Sequence, residues 1–162
     1  MGANAGSGLR MRLRVAGLAL GAALLAGAGG SPAQQSEPTP DIVNERDDEM
    51  TGMATAMKAI SQRIESGSEL AGIRDSALRI RGVAVRIPEL FPPGSNKGQT
   101  NATAAIWERR PEFEDRAKAL ERESRKLAEA AATLNRQEIA DQFRAVGRVC
   151  ASCHETFRKK KE

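Results

Sequence analysis

The sequence predicts an all-α protein built as an antiparallel four-helix bundle. Three observations carry this. Four segments place apolar residues at steps of three and four, the period of one helix face. No segment alternates apolar and polar residues as a half-buried strand would. One connection, between the second and third helices, is long and aperiodic, which suits a bundle with a single crossover.

Before the first helix, residues 1–33 have the layout of a secretory signal peptide. Arg10, Arg12 and Arg14 form a basic region, Val15 to Gly29 is a short apolar run, and Ser31-Pro32-Ala33 fits a cleavage site. The run is shorter than the roughly 20 residues a membrane span needs, so cleavage after Ala33 is expected and an uncleaved anchor is the alternative. Residues 34–40 read as a polar, flexible lead-in, and residues 41–162 as the domain. Export predicts a periplasmic protein with no membrane contact once the signal is removed.

The first helix starts near Asp41. Its stripe is Val43, Met50, Met53, Met57, Ile60 and Ile64, interrupted by Arg46, and Gly67 is a plausible stop. For the second helix, Ser66 and Glu69 are spaced as a capping box, with Ser68 as a competing cap. Its stripe is Leu70, Ile73, Ala77, Ile80, Ala84 and Ile87, ended by Pro88. Residues 89–101, with Pro92-Pro93-Gly94, Asn96 and Gly98, form the crossover. Ile106-Trp107 is either a first helical turn or an anchor for that loop, and Trp107 belongs in the core. The third helix starts at Thr103 or Pro111 and runs to Thr133, Pro111 suiting a first turn. Its stripe is Phe113, Ala117, Leu120, Ser124, Leu127, Ala131 and Leu134. The mixed charges between them, Arg116 included, read as a solvated face. Asn135 and Glu138 cap the fourth helix, whose stripe is Ile139, Phe143, Val146, Cys150, Cys153 and Phe157.

Composition sets further limits. The sequence pI of about 9.4 owes much to the leader. Without residues 1–33 the balance is 22 basic against 21 acidic residues, so charge argues neither for nucleic acid nor for a membrane. Lys159 to Lys161 is a local basic tail, either a solvated helix end or a docking patch for an acidic redox partner. One Trp, four Phe and no Tyr leave a small aromatic core.

The chemistry is concentrated in Cys150-Ala151-Ser152-Cys153-His154. The chain has two Cys and one His, and all three lie in this pentapeptide. C-x-x-C-H is the attachment signature of c-type haem. Two thiols form thioethers with one porphyrin, and the adjacent imidazole falls under the iron. On a helix the three side chains lie at i, i+3 and i+4 and share one face. A thioredoxin-type dithiol would follow a strand, and none is predicted. Zinc would need a fourth ligand that is neither Cys nor His. One haem c, covalent through Cys150 and Cys153 with His154 proximal, is the expectation. Gly147, three residues before Cys150, could give the ring edge room.

With no second His, a bis-histidine iron is excluded within the chain. Met50, Met53 and Met57 are the other soft side chains of the domain. Their spacing puts all three on the inward stripe and does not choose among them, and plain core packing explains them equally. Arg46 on that stripe needs a partner. A haem propionate would serve, and snorkelling to water is the alternative.

A C-x-x-C-H on the last helix of such a bundle resembles the class II cytochromes c, the cytochrome c′ family, itself a standing example of the four-helix bundle. The likeness spans about residues 41–161. It rests on Arg46 with Met50 and Met53, on Ile106-Trp107, and on Val146 to Lys160 around the haem motif. The resemblance implies that the first helix covers the distal face of the haem and that Met50, four residues after the Arg, points at the iron. It implies the low-spin, Met/His-ligated branch of the family. It also places Arg158 near the proximal pocket and allows a homodimer through the first two helices.

The expected function is one-electron transfer with redox partner proteins, through an iron held by His154 and Met50. The alternative is a five-coordinate iron that binds nitric oxide or carbon monoxide. A peroxidase would want a distal proton shuttle, and no second His exists to serve, so no enzymatic role is expected.

Overall fold

The computed structural model describes residues 40–160. The expected signal segment, most of the lead-in and the end of the basic tail lie outside the described residues. Five helices follow one another: α1 (Pro40–Ser66), α2 (Gly72–Arg86), α3 (Ala105–Glu108), α4 (Arg110–Ala132) and α5 (Arg136–Phe157). The four long ones form the expected bundle, and α3 is a single turn on the crossover. Among the described residues the only extended pairing is an isolated antiparallel bridge between Ala102 and Arg158.

The apolar stripes become the core. Ile60 of α1, Ile73, Ala77, Ile80 and Ala84 of α2, Leu127 of α4, and Ile139 and Val146 of α5 are buried to within a per cent. The small Ala77 and Ala84 lie on α2, which packs most extensively on α4. Ser124 replaces an apolar residue in the α4 stripe. Its buried hydroxyl is satisfied within the helix, donating to the Leu120 carbonyl at 2.5 Å. By contrast α1 meets α5 only sparsely, and that gap holds the site described below.

The helix ends show where local signals hold and where they fail. α1 stops at Gly67, whose φ of 69° is the left-handed conformation that glycine adopts freely. The Ser66–Glu69 capping box does not form. α2 has Ala71 at its N-cap and no side-chain cap bond. The Ser66 hydroxyl instead bonds the Arg63 carbonyl of its own helix and the Ser68 hydroxyl. At α5 the expected cap does form. The Asn135 side chain accepts from the N–H of Gln137 at 3.0 Å and of Glu138 at 3.2 Å. Glu138 does not return the bond to the Asn135 N–H. It accepts from the Asn135 amide and the Thr133 hydroxyl instead.

The third helix forms in two pieces, which start near but not at the two alternatives expected, at Ala105 and Arg110. Ala105–Glu108 makes one turn, Arg109 leaves helical geometry at φ −118° and ψ 43°, and α4 restarts with Pro111 in its first turn. Leu134 departs from the expected stripe. α4 ends at Ala132, so Leu134 lies past it at φ 56° with 57% of its surface exposed.

Candidate haem-attachment site

α5 continues unbroken through the haem motif to Phe157, so Cys150, Cys153 and His154 lie on successive turns of one helix. All three line one cavity of about 530 Å³, within the size range of cofactor sites. Facing them from α1 are Arg46, Met50, Met53 and Met57; Leu120 and Arg116 close it from α4. A chain of rings lines part of its wall. Phe91 meets Phe113 edge-on at 5.0 Å, and Phe113 meets Phe157 edge-on at 5.3 Å. Trp107 stands behind them, 6.3 Å from Phe91. Its indole N–H donates to the Pro92 carbonyl at 2.8 Å, so it anchors the crossover from a half-buried position.

The two cysteines are free and half-buried. Burial raises the pKa of both thiols, and Cys153 is pushed up to about 11 by burial and then by Cys150, against the opposing pull of Arg116. A dithiol that works by exchange needs the opposite, a thiolate favoured near neutral pH, so the environment disfavours a thioredoxin-type role. Among the described residues no three His, Cys, Asp or Glu side chains form a group that could hold a metal ion, which leaves the zinc reading without a ligand set. His154 is exposed at the cavity rim. Partial desolvation, then the charge of Arg158, lowers its pKa. The neutral imidazole is the form that binds iron.

Arg46 is buried at 3% exposure, so it does not snorkel to water. Its guanidinium is committed to the crossover. Nε donates to the Leu90 carbonyl at 3.0 Å, Nη2 to the Ser95 hydroxyl at 2.8 Å, and Nη1 to the Thr100 hydroxyl at 3.2 Å. The group also stacks 4.0 Å from the Phe91 ring centroid. Burial lowers its pKa, with Asp47 opposing. These partners differ from both a propionate and water, and they lie 44 to 54 residues away in sequence. Arg158 is exposed at the end of α5, where its N–H caps the His154 carbonyl at 3.2 Å, and it too lines the cavity.

Arg116 corrects the reading of a purely solvated α4 face. It lines the cavity, and its Nε is buried without an acceptor from the protein. Its ion pair with Glu112, at 3.5 Å, is made through Nη2. The side chain is partly exposed, and the buried N–H at the cavity wall is a donor that a carboxylate entering the cavity can accept from. The residues therefore fit haem c on three counts: two unpaired thiols on one face, a neutral imidazole beside them, and an apolar cavity carrying cationic donors for carboxylates. No close contact surrounds Gly147, where an added Cβ would meet nothing within 4 Å.

Comparison with known proteins agrees. The sequence profile described as cytochrome C′ matches residues 41–158. Cytochrome c-554 of Cereibacter sphaeroides is 37% identical over 97 residues, covering 57% of this chain and 71% of that protein. Cytochrome c′ of Rhodopseudomonas palustris is 31% identical over 160 residues, 93% of this chain and 99% of that one. Among solved structures, the nitric oxide complex of a mutant cytochrome c prime from Alcaligenes xylosoxidans superposes with a TM-score of 0.68 at 25% identity, covering 75% of this chain and 95% of that chain. With a haem-attachment motif on the last helix of a four-helix bundle, this chain belongs to the cytochrome c′ family.

Proposed function

We propose that this protein binds nitric oxide or carbon monoxide at the iron of one covalent haem c, with His154 as the axial ligand from the protein. The observation that carries the reading is the single cavity shared by Cys150, Cys153, His154 and the α1 methionines, in a chain with no second imidazole. The nitric oxide complex of the related Alcaligenes xylosoxidans protein supports it. Haem c supplies an iron that alternates between ferric and ferrous and accepts small diatomic ligands.

The chain's own residues do the rest. Cys150 and Cys153 fix the cofactor's position. His154 enters as neutral imidazole, needing no proton release to coordinate. Arg116 and Arg158 place positive charge at the cavity wall. Met53 and Met57 fill irregular space. Met50, half-buried on the same wall, is the α1 side chain that would compete with a small ligand for the iron.

One-electron transfer with redox partner proteins is the second reading. Met50's place in the cavity favours it, because a thioether held on the iron would leave no open position. The two readings separate on carbon monoxide association with the ferrous protein. We expect binding to wild type, and association about tenfold faster in Met50→Ala, the equivalent of ~1.4 kcal/mol off the barrier. A wild type that refuses carbon monoxide beside a variant that binds it would assign Met50 to the iron and the protein to electron transfer.

Export to the periplasm belongs to the same proposal. Sequencing the purified protein should find Gln34 first, and a retained Met1 would exclude cleavage. Among the described residues no helix is long and apolar enough to cross a membrane. A homodimer through α1 and α2 belongs to the same proposal, and Val85, an α2 side chain left 56% exposed, is a position at which to probe it. Val85→Lys should weaken the dimer in sedimentation, and an unchanged association constant would remove that face.

A further inference from the structure

We infer that Thr100 ties the methionine-bearing helix to the chain that follows the haem motif, and that Arg46 serves the site by holding this tie. The hydroxyl of Thr100 accepts from Arg46 Nη1 at 3.2 Å and from the Ala102 N–H at 3.2 Å. Its carbonyl accepts from Lys159 Nζ at 2.8 Å. One residue of the crossover thus receives a donor from α1, one turn before Met50, and another from five residues beyond His154.

The link is reinforced on the α5 side. The Lys159 N–H donates to the Asn101 carbonyl at 2.8 Å and the Thr103 N–H to the Phe157 carbonyl at 3.1 Å. The Thr103 hydroxyl donates to the Thr156 carbonyl at 3.1 Å. Residues 100–103 therefore run as a strap along residues 156–159. The strap spans the side of the bundle where direct contact between α1 and α5 is sparse, and Thr100, Asn101 and Ala102 form part of the cavity wall. A hydroxyl with two lone pairs can take both donors at once. Valine has the same shape and no acceptor, so Thr100→Val strands a buried guanidinium N–H.

The coupling has two consequences. Loosening the strap at Thr100 should release both helix ends together, and it should widen the way into the cavity. The second consequence rests on the ligand-binding reading above, and the first does not.

The test uses the haem-loaded protein and amide hydrogen exchange, with carbon monoxide association as a second readout. Thr100→Val should speed exchange about tenfold in both 43–50 and 156–160, while Thr100→Ser, which keeps the hydroxyl, stays close to wild type. Lys159→Met removes the Nζ bond to the Thr100 carbonyl and leaves the backbone bonds of the strap, so it should speed exchange at 43–50 by a smaller factor than Thr100→Val. That variant also decides the matter if Thr100→Val fails to fold. Carbon monoxide should associate faster in Thr100→Val than in Thr100→Ser. Faster exchange confined to 95–103, or a serine variant as loose as valine, would overturn the inference. Coupled exchange without any carbon monoxide binding would uphold the strap and refute gas binding alone.

Discussion

Arg46 is a guanidinium on the inward stripe of α1, buried at 3% exposure and held by acceptors of the crossover. A guanidinium at an apolar stripe position must find buried acceptors, so its importance is legible from spacing. Its partners are not, because they come from Leu90, Ser95 and Thr100 on an aperiodic segment. Arg46→Met keeps the stem and removes every donor. It should destabilise the protein by about 2–4 kcal/mol, since buried carbonyls and hydroxyls lose charged partners, and urea unfolding measures this. A loss under about 0.5 kcal/mol would mean that water replaces the guanidinium at little cost. Arg116 is the opposite case. Its charge sits among many on α4 and reads as solvated, because periodicity cannot say which side of a helix borders a cavity rather than water. A cation beside the haem favours the ferrous state, which carries one less positive charge. Arg116→Gln should therefore lower the midpoint potential in redox titration, and a potential that stays or rises would remove that role.

At the scale of elements, the four stripes are legible almost to the turn. The second stripe buries Ile73, Ala77, Ile80, Ala84 and, just past α2, Ile87, five of its six expected positions, because an amphipathic period leaves a helix one way to face a core. The connections are less legible, since several residues compete for each cap. Ser66 illustrates this by remaining inside α1 and bonding backwards. Leu134 illustrates it again, because the 3.6-residue period carries on past the point where the chain turns. Its φ of 56° is a conformation that costs an L-residue about 1–2 kcal/mol, and its side chain is largely exposed. Leu134→Gly gives back about 0.5–1 kcal/mol through freedom in the unfolded chain, so it should still stabilise the protein by about 0.5–1 kcal/mol in thermal or denaturant unfolding. A destabilised variant would mean that the side chain covers more of the α4–α5 turn than its exposure indicates.

For the whole molecule, the bundle and the haem motif are written in the sequence, and the cavity between them is not. A volume of about 530 Å³ arises from the sparse packing of α1 on α5 and from a crossover pinned on several sides. Arg110 adds to that pinning, donating to the carbonyls of Phe91 and Pro88, each at 2.7 Å. These are long-range pairings that no local period encodes. The methionines likewise could be placed on the inward face of α1, but spacing alone did not connect any one of them to the cofactor. The central claim is that His154 would hold the iron in this cavity and that a small ligand can bind to that iron. It is tested most directly by the visible spectrum of the purified ferrous protein before and after carbon monoxide. The account predicts a covalent c-type haem whose Soret band shifts promptly as the ligand binds. A spectrum that carbon monoxide leaves unchanged would contradict it and establish a fixed sixth ligand.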